Sequence, residues 1–551
     1  MLTDCVFWIW SVTGTSPLYG QKGNEPMPSD HPVFAQLNRR QLGQSILGGV
    51  AVYSLFGLPA FAQGAKDVVV GVSRNPATLD PCMEYSTQSW RVHFSIFDTL
   101  LRYDEVDNFR LVPWLAESWK RVDDRTVDFT LREGVKFHNG DLLTADDVVF
   151  TFGPERVLTE GAPGYAMTRA TLGTIERVEA LAPNVARFVT KAADPLLEMR
   201  VATFPAQIVC KRAFKEAASF DAWQAAPVGT GPYKVREFRV DDFVQLDAFD
   251  DYWAGKPNAS SLKFQVAPEV SSRIAGLVSG QFQIISELTP DQFAMVKASG
   301  CSVVGGKVAN NRTIVYDTTN PVMKEVRIRR ALSLAIDRDL IVESLWGGGI
   351  GVPNGNQWPA FGDLYFADWP AYKSDPEAAA ALVREAGYDG TVIEYRITGT
   401  NYTFETQTAE ILVAMWRAAG LNVKLVFKEN SQQILVPEGR GIRNWSNSMV
   451  YPDPLGGWWR LFGPYGPVQV SNKEWMNAEF NEQSKTLEHS LDPKARKAAW
   501  RRMMEIWHND DPPGTVLHDF GMFYGLASGI GWTPLPAEYM DFRKERLAIE
   551  K

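Results

Sequence analysis

Asp375-Pro376-Glu377 to Gly387, Thr391 to Ile397, Ile411-Leu412 with Met415-Trp416 up to Gly420, and Val423, Leu425 and Phe427 in alternation form the stretch that decides the fold. Asp375 is a capping residue, Pro376 suits the first helical position, and Gly387 suits the stop. A strand is predicted over Thr391 to Ile397. The next helix carries Ile411, Leu412, Met415 and Trp416 on one face and stops at Gly420, and a strand with period-two alternation follows. Helix, strand, helix, strand at this pitch predict an α/β lobe.

Outward from this stretch the same reading continues. Val68 to Val72 is strand-like, and Asn75-Pro76-Ala77-Thr78-Leu79-Asp80-Pro81 is rich in turn residues. Phe94 to Leu101 is apolar at helical spacing. Thr126 to Leu131 alternates as a half-buried strand. Thr144 before Asp146-Asp147 marks a helix start, with acids at the positive end of the dipole. Asp492-Pro493 opens a helix expected to run to about Trp507. Internal repeats and low-complexity tracts are absent from the sequence.

With 551 residues the chain exceeds one core, so at least two lobes are expected. A net charge of -9 argues against nucleic acid or an anionic membrane as partner, since both need a basic face. Eighteen Trp suit a protein that wraps ligands in apolar pockets. Catalysis finds no support: G-x-S-x-G, H-E-x-x-H, P-loop and dinucleotide fingerprints are missing, and Gly347 to Gly351 has neither phosphate-motif spacing. The six His are scattered without ligand spacing, so no metal and no cofactor are expected.

Arg39-Arg40 precedes an uncharged stretch from Gly43 to Leu58 and then Ala60-Phe61-Ala62, a cleavage pattern. The stretch is too short to span a bilayer. It reads as a cleavable export signal, the twin arginines suggesting the twin-arginine route. Because 38 residues precede Arg39, Met27 is the expected start. Cys82, Cys210 and Cys301 remain after cleavage, allowing at most one disulfide. A soluble periplasmic protein is expected.

A set of phrases in order carries a resemblance. They are Phe97-Asp98-Thr99-Leu100-Leu101, Leu111 to Trp119, Phe129 to Gly140 with Phe137-His138-Asn139-Gly140, Gly229-Thr230-Gly231-Pro232-Tyr233, Tyr252-Trp253-x-Gly255-x-Pro257, and Val326 to Arg338. Together the chain resembles the family-5 extracytoplasmic solute-binding proteins of ABC importers, the dipeptide, oligopeptide and nickel group. The resemblance implies a periplasmic binding protein-like α/β fold: lobe I from 63–97, 224–307 and 515–551, an inserted subdomain at 98–223, lobe II at 308–514, and a hinge near Lys307–Asn311 and Pro513–Val516. It implies a monomer that closes on a small solute and hands it to permease subunits. A short peptide is the default solute, with an opine, a sugar conjugate, an amino-acid derivative or a metal chelate as alternatives. A role as a sensor's receptor or as a chaperone stays open on the same fold. His138 reads as a structural residue of a turn.

The candidate ligand wall is Asn444 to Arg460, where Trp445, Trp458 and Trp459 lie among Gly and Pro. In peptide-binding relatives an Asp three residues after the Trp pairs with the α-ammonium; here that place holds Ser448. Loss of such a pair costs about 2–5 kcal/mol, and Asp453 is the candidate substitute. Arg440, Arg443 and Arg460 are candidates to grip a carboxylate or phosphate in bidentate fashion. Tyr85, Trp90, Asn356, Trp358 and Tyr402 are further candidates, resting on the cleft placement the resemblance implies.

Overall fold

The computed structural model describes residues 66–550. The export signal, Met27 and Cys5 lie outside the described residues. Val68, Val70 and Val72 are fully buried, as a strand covered on both faces requires. Their strand β1 (Asp67–Val72) joins β2 (Tyr233–Arg239), β3 (Phe243–Ala248), β4 (Ser261–Val266), β5 (Ile284–Ile285), β6 (Ser302–Tyr316), β7 (Ile393–Ile397), β8 (Val423–Phe427), β9 (Arg440–Ser448) and β10 (Gly514–Leu526). The ten form one mixed sheet in the order β8-β7-β9-β6-β10-β5-β1-β4-β3-β2.

Two long strands hold this sheet together. β6 and β10 pair antiparallel from Ser302↔Leu526 to Val315↔Gly514, with register shifts between Val308 and Asn311 and between Arg312 and Thr313. On one side, Val70, Leu246, Leu262 and Phe264 build one core. On the other, Ile314, Tyr316, Tyr395, Leu412, Trp416 and Ile442 build a second. The stretch that begins at Asp375 forms the second side as expected. Asp375 caps the helix Pro376–Glu385 by accepting from Ala378 N at 2.9 Å, and Gly387 has φ 64°. The helix Glu405–Ala418 ends before Gly420, whose φ is 92°. β7 lies parallel to both β8 and β9.

Elsewhere Thr126–Leu131 is a strand in a separate four-stranded antiparallel sheet. The Asp492 helix covers Pro493–Glu505, two residues short of the expectation, and continues as a π-turn to Asp510. The apolar run Phe94 to Leu101 is not one helix. The helix is Thr87–Ile96, capped by Ser86 accepting from Ser89 N at 3.1 Å. At Phe97 the chain turns extended, and Leu101–Asp104 is a strand.

Asp98 explains that break. Its fully buried carboxylate accepts from Trp114 Nε1 (2.7 Å), Arg543 Nη2 (2.9 Å), Thr230 Oγ1 (3.1 Å), Tyr252 OH (3.2 Å) and Trp253 Nε1 (3.2 Å). Gly229 and Gly231 lie against the Ile96 main chain, where a Cβ would meet backbone atoms at 2.2 and 2.5 Å. His138 fastens the same corner, its Nε2 lying 3.0 Å from Gly231 O; burial lowers its pKa to about 4. Cys82, Cys210 and Cys301 are free thiols. Asp98→Ala leaves the buried Arg543 with one carboxylate fewer and four neutral donors unmatched. It should lower stability by about 3–5 kcal/mol in urea unfolding.

Candidate functional site

β7, β8 and β9 run parallel, so their carboxyl ends, Ile397, Phe427 and Ser448, lie at one edge. Crevices at such edges take ligands in α/β sheets. Side chains alternate along β6 and β9. One face therefore carries Asn310 opposite Ser448, Arg312 opposite Ser446, and Ile314 opposite Asn444; the other carries Asn311 with Asn447 and Thr313 with Trp445. Asn310, Asn311, Arg312 and Thr313 are all buried, a polar run inside a strand that is otherwise apolar at this depth.

Above the end of this pair sits Glu538. Its Oε1 accepts from Asn310 Nδ2 at 2.9 Å and Thr87 Oγ1 at 3.0 Å, and the Ser448 hydroxyl also donates to its carboxylate. The Ala309 N to Pro536 O bond, 3.0 Å, pins the segment that carries it. Glu538 is 6% exposed. All three hydrogen-bond partners are neutral, and among the described residues no Lys, Arg or His reaches ion-pair distance of it. Burial pushes its carboxyl above the ordinary value, opposed by those donors and by the field of Arg460.

A cavity of about 70 Å³ opens beside Glu538, lined by Trp90, Phe94, Phe204, Met449 and Tyr539 among others. Tyr539 stacks on Phe94 with centroids 3.7 Å apart, and Tyr85, Trp90 and Phe204 pack edge to face at about 5 Å. Arg460 lies over Tyr85, 4.5 Å from the ring centroid. Several buried polar atoms here have no hydrogen-bond partner among the described residues: Tyr85 OH, Trp90 Nε1, Arg460 Nε and Asn310 Oδ1. Natural folds pair nearly all such groups. Beside an aromatic wall, such groups suit a polar ligand with an apolar body. Among the described residues no three His, Cys, Asp or Glu gather as a metal site, and no helix is long and apolar enough to cross a membrane.

The sequence model of bacterial extracellular solute-binding proteins, family 5, matches residues 110–467. The chain belongs to that family. This solute-binding protein is 26% identical over 451 residues to the dipeptide-binding protein of Escherichia coli (strain K12), covering 77% of this chain and 83% of the relative. It is 25% identical over 503 residues to heme-binding protein A of Haemophilus influenzae, covering 85% and 89%. Its fold matches the dipeptide binding protein of Pseudoalteromonas sp. SM9913 in complex with Met-Leu with a TM-score of 0.77 and 22% identity, covering 88% and 100%. The family is one of binding proteins: its members capture a substrate outside the cytoplasm.

Of the residues singled out in this solute-binding protein's sequence, Ser448, Tyr85, Trp90 and Arg460 come together around Glu538. Others have different partners. Arg443 is forked onto Glu474, with Nη2 to Oε2 at 2.6 Å, and Arg440 pairs with Asp317 at 2.7 Å; both are buried and have no guanidinium edge to spare. Asp453 is 2% exposed, binds Arg496 at 2.7 Å and caps Leu455 N, which leaves it no role as a free anchor. Trp458 and Trp459 are core, Trp458 packing on Trp507 at 4.5 Å. Trp358 and Asn356 are buried, and Trp358 packs on Phe361. Trp445 is half-buried on the face opposite Glu538, under the Arg443 guanidinium at 4.5 Å. Tyr402 lies 3.5 Å from the Arg312 guanidinium. Sequence reading missed Glu538, for which Pro534-Leu535-Pro536-Ala537-Glu538 offers no signal. Trp458→Ala should destabilise the fold by about 3–5 kcal/mol in denaturant titration, as expected for a core Trp.

Proposed function

We propose that this protein is the periplasmic substrate-binding component of an ABC import system, and that it captures a small solute bearing a protonated amine at Glu538. Two lobes, divided as the sequence resemblance implies and joined through β6 and β10, close on the solute, and the loaded monomer delivers it to the permease without chemical change. An export signal at the N-terminus, with its twin arginines, fits this location. The observation that carries the reading is Glu538 itself. A carboxylate taken out of water without a cation is costly, and the missing charge is supplied when a cationic ligand group enters. Neutral donors from Thr87, Asn310 and Ser448 aim the carboxylate, and the aromatic wall of Trp90, Phe94 and Tyr539 suits the apolar part of the solute. Ser448, in the place where peptide-binding relatives carry an acid, becomes a donor to an acid from another segment.

The sign of the pH dependence follows from the raised carboxyl. As pH falls through its range, Glu538 takes up a proton and loses its attraction for an ammonium group. A bound cation favours the ionised form, so binding in this range releases a proton. The field of Arg460 acts on this carboxyl, and Tyr85 and Tyr524, which also face it, are pushed up by burial and stay neutral in the acid range. Calorimetry with the dipeptide Ala-Phe should show affinity falling as pH is lowered from about 8 to 4. Glu538→Gln should weaken binding by about 2–5 kcal/mol at neutral pH and flatten that profile. N-acetyl-Ala-Phe, which has no ammonium, should bind weakly to both; equal affinity for the acetylated and free dipeptide would sink the reading.

A further inference from the structure

We propose that Gln207 is a specificity-determining residue in the cavity beside Glu538, and that the preferred solute carries a short carboxamide side group next to its ammonium group; this rests on the reading of Glu538 as the cation subsite. Gln207 lines that cavity and is 0% exposed, yet neither its Nε2 nor its Oε1 has a hydrogen-bond partner among the described residues. Other buried amides are better served. Gln357 donates to Phe366 O at 2.8 Å and accepts from Phe366 N at 2.7 Å. Asn444 uses both ends, accepting from Tyr395 OH and donating to Glu405 at 2.9 Å. Asn310, Asn311 and Asn356 each leave one atom unmatched, and Gln207 is the only buried amide among the described residues that leaves two. Such a group costs the fold hydrogen bonds that a bound partner restores.

The main chain on either side of Gln207 is held in place. Ala206 N donates to Thr203 O at 3.0 Å, Ile208 N to Asp98 O at 2.9 Å and Val209 N to Thr151 Oγ1 at 3.2 Å. Two more residues lining the same cavity have a buried polar atom without a hydrogen-bond partner, Trp90 at Nε1 and Glu105 at Oε2. Arg102 stands 3.8 Å from that Glu105 oxygen and makes its closer contact with Asp541 at 3.1 Å. Trp90 and Thr87 lie three residues apart on the helix Thr87–Ile96, hence on one face, and Thr87 is one of the residues that hold Glu538. One helix face thus joins the cation subsite to the cavity.

The unmatched set comprises two donors, Trp90 Nε1 and Gln207 Nε2, and two acceptors, Gln207 Oε1 and Glu105 Oε2. A carboxamide is its complement, offering N–H groups and a carbonyl oxygen from one planar unit. A methyl group matches none of the four atoms. A carboxylate matches the donors alone and meets the acids Asp98, Glu105 and Glu538 around the same cavity. The arginines of the lining are already engaged, Arg102 with Asp541 and Arg543 with Asp98. The cavity, about 70 Å³, is roughly half the size of one that holds a benzene ring, which suits a side group of about four heavy atoms.

The test is calorimetry on the whole protein with Asn-Phe, Leu-Phe, Asp-Phe and N-acetyl-Asn-Phe. The first three probes share one branched side-chain shape that ends in an amide, two methyl groups or a carboxylate. Wild type should bind Asn-Phe at least roughly tenfold more tightly than Leu-Phe or Asp-Phe, and should reject the acetylated probe. Gln207→Met, which keeps the volume and removes the amide, should bind Leu-Phe at least as tightly as Asn-Phe while still rejecting the acetylated probe. Gln207→Asn, which draws the amide back by one methylene, should show a reduced preference for Asn-Phe and serves if the Met variant does not fold. If wild type binds Leu-Phe or Asp-Phe as tightly as Asn-Phe, or if both variants keep the full preference, Gln207 does not read the solute. If the acetylated probe binds as tightly as the free one while the preference for Asn-Phe persists, Glu538 loses its role and Gln207 keeps its own. Failure of all four probes to bind wild type would overturn both.

Discussion

The structure depends on one buried carboxylate. Asp98 collects donors from Trp114, Thr230, Tyr252, Trp253 and Arg543, which come from segments far apart in the chain. An isolated carboxylate at this depth would be prohibitively expensive, and a single cation would not meet its hydrogen-bonding capacity. Five donors, one of them charged, do so. The cost of failing to assemble them is what ties these segments together. It also accounts for the sequence phrases: Phe97-Asp98-Thr99, Gly229-Thr230-Gly231-Pro232 and Tyr252-Trp253 are the parts of one corner, with the two glycines set where any side chain would strike the Ile96 backbone.

That satisfied acid sets the standard against which Glu538 is judged. Both are buried and both accept several hydrogen bonds, but only Asp98 has an arginine within ion-pair distance. The fold instead leaves Glu538 with neutral hydrogen-bond partners only, on the strand pair at the carboxyl ends of β7 and β9. Folding energy gives no reason for that placement. Binding energy does, because an anchor already desolvated and already aimed loses little further freedom when the ligand arrives.

The α/β architecture was legible because it is written locally. Asp375-Pro376, Gly387, Gly420 and the alternation of Val423, Leu425 and Phe427 act within a few residues of themselves, and the helices and strands formed there. Phe94 to Leu101 misled because its helical spacing is real, while the force that ends the helix at Ile96 acts on Asp98 from Trp114 and from four residues more than a hundred positions away. The tryptophans of Asn444 to Arg460 misled in a related way. Gly and Pro among aromatics do mark an irregular wall, but whether a ring faces a ligand or the core depends on strand register and on Trp507 behind it.

Ser448 shows where sequence reasoning can be right about a residue and still incomplete about the site. Its lack of charge argues against an ammonium anchor on β9. Yet a serine there has room to donate to a carboxylate arriving from 534–539, which an acid in the same place would repel. Moving the acid from one strand to a segment held by the Ala309 to Pro536 bond leaves the field in the crevice similar in sign. It changes which part of the chain carries it. The anchor then belongs to a segment whose position is set by Thr87 and Asn310 together, so its charge is best placed only when the helix Thr87–Ile96 and β6 are both docked on it. In such an arrangement the carboxylate is aimed before any solute arrives, because Thr87, Asn310 and the 534–539 segment are already docked on one another.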